Sequence, residues 1–350
     1  VNLVITAIGA VTPVGLDAVT TCASVRAGLS RPTAVLHFPS LDPDTQRSVP
    51  IAGHAVSGVT EGFSGVGRWL QVAALAVEDL CRSGALPADL GFWRRTGVAV
   101  VTPVLDDTRF QESPDCQPES VGTTYLAPLF ESLRLPIAEG ASWLVDEGHS
   151  GAVSAIAAAQ VGHTFDRVLV IAADSYLDAF SLLWLAELGR LKDADNPVGL
   201  FPGEAAVALL VESRSAAEAR RAPILATVAG LSVAEAGGGS RGRALGAALE
   251  AALAEAQIAG PVNGDLIVDL NGEEWRARAL AEAMTRSPRR VDGCRLVLPA
   301  QSVGDTGAAS AALAIACGAR ALHRGYASGD RCVILSCAED GAAGALVLGR

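Results

Sequence analysis

An α/β fold made of two similar halves is what this sequence predicts, and three observations carry the prediction. The nonapeptide GHSGAVSAI at 148–156 returns as GDTGAASAA at 304–312, sharing Gly, Gly, Ala, Ser and Ala without a gap. His149 then stands opposite Asp305, and Ser150 opposite Thr306. Short β-branched apolar runs alternate with longer helical patterns in the same order on both sides of residues 213–221. At 350 residues the chain also exceeds what one ordinary core supports.

Taken in order, residues 2–10 are apolar and β-branched, TPVG turns the chain, and DAVTTCASVRAG reads as a short helix. Residues 35–64, rich in Pro, Ser, Gly and His, read as an irregular insertion. GRWLQVAALAVEDLCRSG (67–84) sets Leu70, Ala74, Val77 and Leu80 at helical spacing, and TGVAVVTP (96–103) reads as a buried strand. A polar loop over 105–121 precedes another helix, and SWLV (142–145) is a short strand. GHSGAVSAIAAAQVG (148–162) is a helix of small residues with no polar face, so it belongs inside the protein. DRVLVIAAD (166–174) and EAAVALLVES (204–213) are strands that complete the first half, 1–215.

The second half, 216–350, repeats the order: strand 222–233, helix 244–256, strand 265–270, helix 273–286 and short strand 295–301. A second small-residue helix at 304–325 and a strand pair within 332–349 complete it.

Composition narrows the function. Half the residues are hydrophobic and 19% are charged, a balance that suggests an oligomer with part of its surface covered. A net charge of -11 without a Lys/Arg run argues against nucleic-acid binding, and RSPRR (286–290) reads as a solvated loop. Seven scattered cysteines read as small buried residues in a reducing compartment. The N-terminal stretch lacks a basic region, and no apolar run suits a membrane span, so a cytoplasmic protein is expected. No metal or cofactor is expected, because His149 has no ligand partner at usable spacing.

Three segments resemble the β-ketoacyl synthases of the thiolase superfamily: VITAIGAVTPVG (4–15), FPGEAAVALLVES (201–213) and IVDLNGEEWRARA (267–279). The resemblance implies a five-layered αβαβα sandwich with the two small-residue helices starting at the floor of one pocket. By position, His149 takes the place of the family's nucleophilic cysteine. Asn271 takes that of the first catalytic histidine, and Asp305 that of the second histidine or asparagine. Phe201, Ser150 and Thr306 become substrate-binding candidates, and Glu204 a structural carboxylate near the pocket.

Those replacements alter the chemistry. An acyl-imidazole hydrolyses readily, so His149 stores an acyl group poorly. Asn271 still donates, whereas an ionised Asp305 only accepts and repels an enolate. Losing one oxyanion donor costs about 3 kcal/mol of transition-state stabilisation. The resemblance therefore implies an atypical ketosynthase-like protein of fatty-acid or polyketide-type metabolism that is not suited to Claisen condensation. It would bind an acyl thioester on coenzyme A or an acyl carrier protein, as a homodimer or as the non-condensing partner of an active ketosynthase.

Two alternatives stay open. A His149–Asp305 dyad would suit thioester hydrolysis, acyl transfer or dehydration. GHSGA also resembles a GxSxG elbow with Ser150 as nucleophile and Ala152 in place of the last Gly, although only His163 and His323 follow it. Asp146 and Glu147 read as helix-start carboxylates, Glu273 and Glu274 as the start of the next helix, His37 and His54 as surface residues, and Cys337 as a strand-end residue.

Overall fold

The uncharged run Leu3–Val11 becomes a strand, β1, buried along its whole length, as a continuous apolar stretch flanked by turn residues requires. A computed structural model of the chain describes residues 2–42, 44–105, 108–111, 113–138, 140–161, 165–193 and 195–350. The first helices are α1 (Ala18–Arg26), α2 (Val66–Ser83), α3 (Leu90–Arg94) and α4 (Ala127–Leu133). β2 (Thr33–Leu41) and β3 (Ser48–Gly53) pair as a separate hairpin. The remaining strands of the first half are β4 (Thr96–Val101), β5 (Ser142–Val145), β6 (Arg167–Ser175) and β7 (Glu204–Ser213). Between them lie α5 (Gly151–Val161) and α6 (Ala179–Glu187).

After the linking helix α7 (Arg214–Ala219) come β8 (Ala226–Ala234), α8 (Arg241–Glu255), β9 (Gly264–Val268), α9 (Glu274–Arg286) and β10 (Arg295–Val297). α10 (Ala300–Val303), α11 (Ser310–Arg324), β11 (Arg331–Cys337) and β12 (Ala343–Gly349) complete the chain.

Ten strands follow the order β10-β9-β11-β12-β8-β1-β7-β6-β4-β5. Read outward from the middle, the two sides pair alike. β1 with β7 and β8 with β12 are antiparallel, as are β7 with β6 and β12 with β11. Then β6 with β4, β11 with β9, β4 with β5 and β9 with β10 are parallel. Among the described residues, the strand pairing between the two sides is Val4↔Thr227 and Ile5↔Ala226 alone. The duplicated nonapeptide is thus part of a duplicated topology.

Between the two five-stranded sides lies one apolar cluster that joins Ile8, Val170 and Val207 to Ile334 and Leu346 through α5 and α11. Small side chains let these two helices fit there. α2 covers the outer face of the first side with Trp69, Val72 and Leu80. α8 covers the second with Leu245, Leu249 and Leu253. The layers run helix, sheet, helix pair, sheet, helix, which is the sandwich that the resemblance implied.

Four local readings are corrected. Residues 35–64 are irregular only in part: β2 and β3 pair, across a register shift between Val35 and Pro39, up to Gly53, and 54–64 run on without a helix or strand. His54 is not a surface residue; it is 2% exposed, its backbone N–H donates to Pro202 O, and its ring packs edge-on against Phe201. His37 is exposed but not without a partner, since its Nε2 lies 3.1 Å from Leu177 O. Arg290 in RSPRR is not merely solvated, because it donates to the carbonyls of Ile258, Ala259 and Gly260 and closes the 258–260 turn. α6 was not predicted, although Asp178 caps it by accepting from Phe180 N and Ser181 N.

Candidate functional site

Both small-residue helices begin with a 3₁₀ turn, Gly148–Ser150 before α5 and Gly307–Ala309 before α11. The second helix starts later than the nonapeptide alignment implies, and Asp174 is the reason. Its carboxylate accepts from Ala308 N at 3.0 Å and lies where a side chain on Gly307 would sit, 1.8 Å from an added Cβ. Gly307, at φ +50°, supplies the left-handed turn. Asp305 precedes that turn and is held by backbone bonds, Asp305 N to Phe201 O at 2.8 Å and Gly203 N to Asp305 O at 2.9 Å.

This placement brings His149 and Asp305 together. His149 Nε2 lies 2.8 Å from Asp305 Oδ1, and both residues are 2% exposed. Asp305 Oδ1 also accepts from Gly307 N at 2.8 Å, and Oδ2 accepts from Asn271 Nδ2 at 2.6 Å. Asn271 Nδ2 donates a second bond to Glu273 Oε2 at 2.8 Å. Burial alone would raise the Asp305 carboxyl. The charge and hydrogen bond of His149, the Arg276 guanidinium and the Asn271 amide together hold it far below its ordinary 3.8.

The sign of the resulting pH dependence is fixed. A carboxylate depressed in the folded state adds stability above its unfolded value and loses it as pH falls. Asp305→Asn is therefore expected to flatten the fall in unfolding free energy below about pH 4, measured by urea titration at several pH values.

A cleft of about 530 Å³ reaches His149. Tyr176, Trp184 and Trp275 line it, together with Arg109, Arg190 and Glu339 among others. Arg190 clasps two carboxylates: Nε donates to Glu273 Oε1 at 2.7 Å, and Nη2 to Glu273 Oε2 at 3.0 Å and Glu339 Oε1 at 2.7 Å. Arg109 forms a bidentate pair with Asp174 at 3.0 and 2.8 Å. Behind His149, Ser336 Oγ lies 3.0 Å from the His149 carbonyl and 2.8 Å from Asp269, which Arg276 contacts at 2.9 Å.

Three of the predicted site residues, His149, Asn271 and Asp305, form one connected cluster. The other three are placed differently. Ser150 is fully buried with its hydroxyl on Glu147 O, and Thr306 pairs with Ser310 at 3.2 Å. Phe201 packs against His54 and Lys192 rather than on the cleft wall.

Among the described residues, no histidine that follows Ser150 in the chain is placed beside it. His163 lies outside the described residues, and exposed His323 is about 20 Å along α11 from Ser310. Cys337 is the strand-end residue expected, the buried last residue of β11, and burial pushes its thiol up to about 12. Glu204 is structural, fully buried and holding Val56 N, Thr60, Arg68 and Ser175.

Sequence reasoning missed Arg109, Arg190, Glu339 and the second role of Glu273. All four act through partners more than fifty residues away, and no local pattern signals them.

No sequence family and no curated protein matches the chain. Solved structures do. The chain is similar to one in AntDE:AntF, a type II PKS acyl-carrier protein in complex with its ketosynthase, with TM-score 0.77 and 17% identity over 99% of each chain. It is similar to the ishigamide ketosynthase/chain length factor, with TM-score 0.76 and 19% identity over 99% of this chain and 98% of that one. A β-ketoacyl synthase from Burkholderia phymatum STM815 gives TM-score 0.76 and 18% identity over 100% and 99%. At these identities what is shared is the architecture, and the chain has the thiolase-like fold of the ketosynthases.

Proposed function

We propose that this chain is a non-condensing protein of the ketosynthase fold that holds an acyl thioester, on coenzyme A or an acyl carrier protein, in the cleft reaching His149, and that it works beside an active, cysteine-bearing ketosynthase. One observation carries the first part. Both Nδ2 hydrogens of Asn271 are already donated, to Asp305 and Glu273, and Asp305 is an anion where the fold's condensing members have a donor. No N–H of this set is left for a thioester oxygen, and an enolate would face a carboxylate.

Pairing with a ketosynthase is supported by likeness to a ketosynthase/chain length factor and by two surface features. β5 is an edge strand of the sheet, and Val161, the last residue of α5, is 79% exposed.

A second reading rests on the 2.8 Å contact between His149 and Asp305. In its neutral form His149 would donate Nε2–H to the carboxylate and keep Nδ1 as the basic nitrogen of a residue that lines the cleft. That arrangement suits thioester hydrolysis or acyl transfer.

Intact-mass analysis with acetyl-, malonyl- and longer acyl-thioesters, with free thiol release followed in parallel, separates the readings. The first expects binding without adduct or turnover and co-purification with a co-expressed cysteine-bearing ketosynthase. The second expects thiol release that His149→Ala abolishes. A β-ketoacyl product formed by the chain alone would overturn both. His149→Cys is expected to become acylated yet form no β-ketoacyl product, because Asn271 and Asp305 are unchanged; mass spectrometry of protein and products checks this.

A further inference from the structure

Resting on the acyl-thioester reading above, we infer that the cleft selects an acyl group ending in an ammonium over one ending in a carboxylate. The charge on the walls points that way. Arg109 and Asp174 cancel in one buried pair. What remains is Arg190 and Arg241 against Glu273, Glu339 and Asp340, with ionised Asp305 directly behind His149.

Only one of the two cations is committed to carboxylates. Arg190 bridges Glu273 and Glu339, while Arg241 donates to the Glu339 carbonyl. The carboxylates keep spare capacity. Glu339 is 29% exposed on its side chain, and Asp340 is exposed at the same rim. A carboxylate entering here meets an excess of like charge offset only by Arg241, which has no carboxylate partner among the described residues, whereas an ammonium meets the open carboxylate oxygens of Glu339 and Asp340.

Aromatic walls act in the same direction. The Arg190 guanidinium lies 4.9 Å from the Trp184 ring centre, which stacks with Tyr176, and Arg241 lies 4.8 Å from that of Trp275. These walls already hold two cations of the chain itself through rings and carboxylates, the chemistry that recognises an alkylammonium.

Three pantetheine amides, with nitrogen in place of the thioester sulfur so that no turnover intervenes, test the inference: δ-aminovaleryl, hexanoyl and glutaryl. Calorimetry at low salt is expected to give at least about tenfold tighter binding of δ-aminovaleryl than of glutaryl, with hexanoyl between them. Added salt should compress that ratio. Glu339→Gln should bring it towards one, and Asp340→Asn, at an exposed position, should lower it if the first variant fails to fold. Glutaryl or hexanoyl binding as tightly as δ-aminovaleryl overturns the inference, as does a ratio unchanged in the folded variants. If none of the three binds, the acyl-thioester reading itself falls, and the inference with it.

Discussion

Arg109→Met is expected to lower the unfolding free energy by about 3–5 kcal/mol, the cost of leaving a buried ion without its partner. The guanidinium is 5% exposed and makes the bidentate pair with Asp174, a bond to Ser175 O at 2.7 Å and one to Ser181 Oγ at 3.0 Å. Without it, the 1%-exposed Asp174 carboxylate keeps only neutral backbone donors, Ser175 N and Ala308 N. Adding Asp174→Asn should recover part of the loss, because the stranded charge disappears. Urea denaturation of wild type, single and double variants reads both effects. A single-variant loss below about 1 kcal/mol would mean that the pair is not what holds the start of α11.

The second large effect is expected from one methyl group. A Cβ on Gly203 would lie 2.2 Å from Val303 O and 3.0 Å from Asp305 O, so Gly203→Ala must push the 303–305 backbone away from β7. Overpacking of this kind costs about 1–3 kcal/mol, and here the displaced segment carries Asp305. The substitution is thus expected to loosen the 2.8 Å contact to His149 as well as the fold. Thermal unfolding reads the first loss. The His149 ring resonances, assigned with His149→Ala, read the second by approaching those of a solvated imidazole. A variant with wild-type melting and unchanged resonances would show that the approach of these backbones is not needed.

Much of this arrangement was legible in the sequence, and the reasons are specific. The apolar runs of β1, β6 and β7 and the small-residue helices can be stable only when covered on all sides, so their placement follows from composition. Repetition of a nonapeptide at matching places then put His149 beside Asp305. The hairpin β2–β3 was obscured because Pro39 and Pro50, which face one another across it, mark turns in most contexts. α6 was missed because AFSLLWLAE is apolar without a polar face to set a period, although Asp178 gave a cap signal. The Arg190 clasp left no trace, since its partners Glu273 and Glu339 come from separate loops in the other half. Salt bridges between distant loops have no periodicity to detect.

The joint between β1 and β8 is two residue pairs long, so strand bonding does little to set how one repeat leans on the other. That angle is decided by how closely the alanines, glycines and serines of the two central helices nest. An added methylene in that interior is expected to strain the nesting of the helices first, and with it the spacing of the imidazole and the carboxyl at their starts. The spacing of the chemical groups is therefore under the control of its smallest side chains.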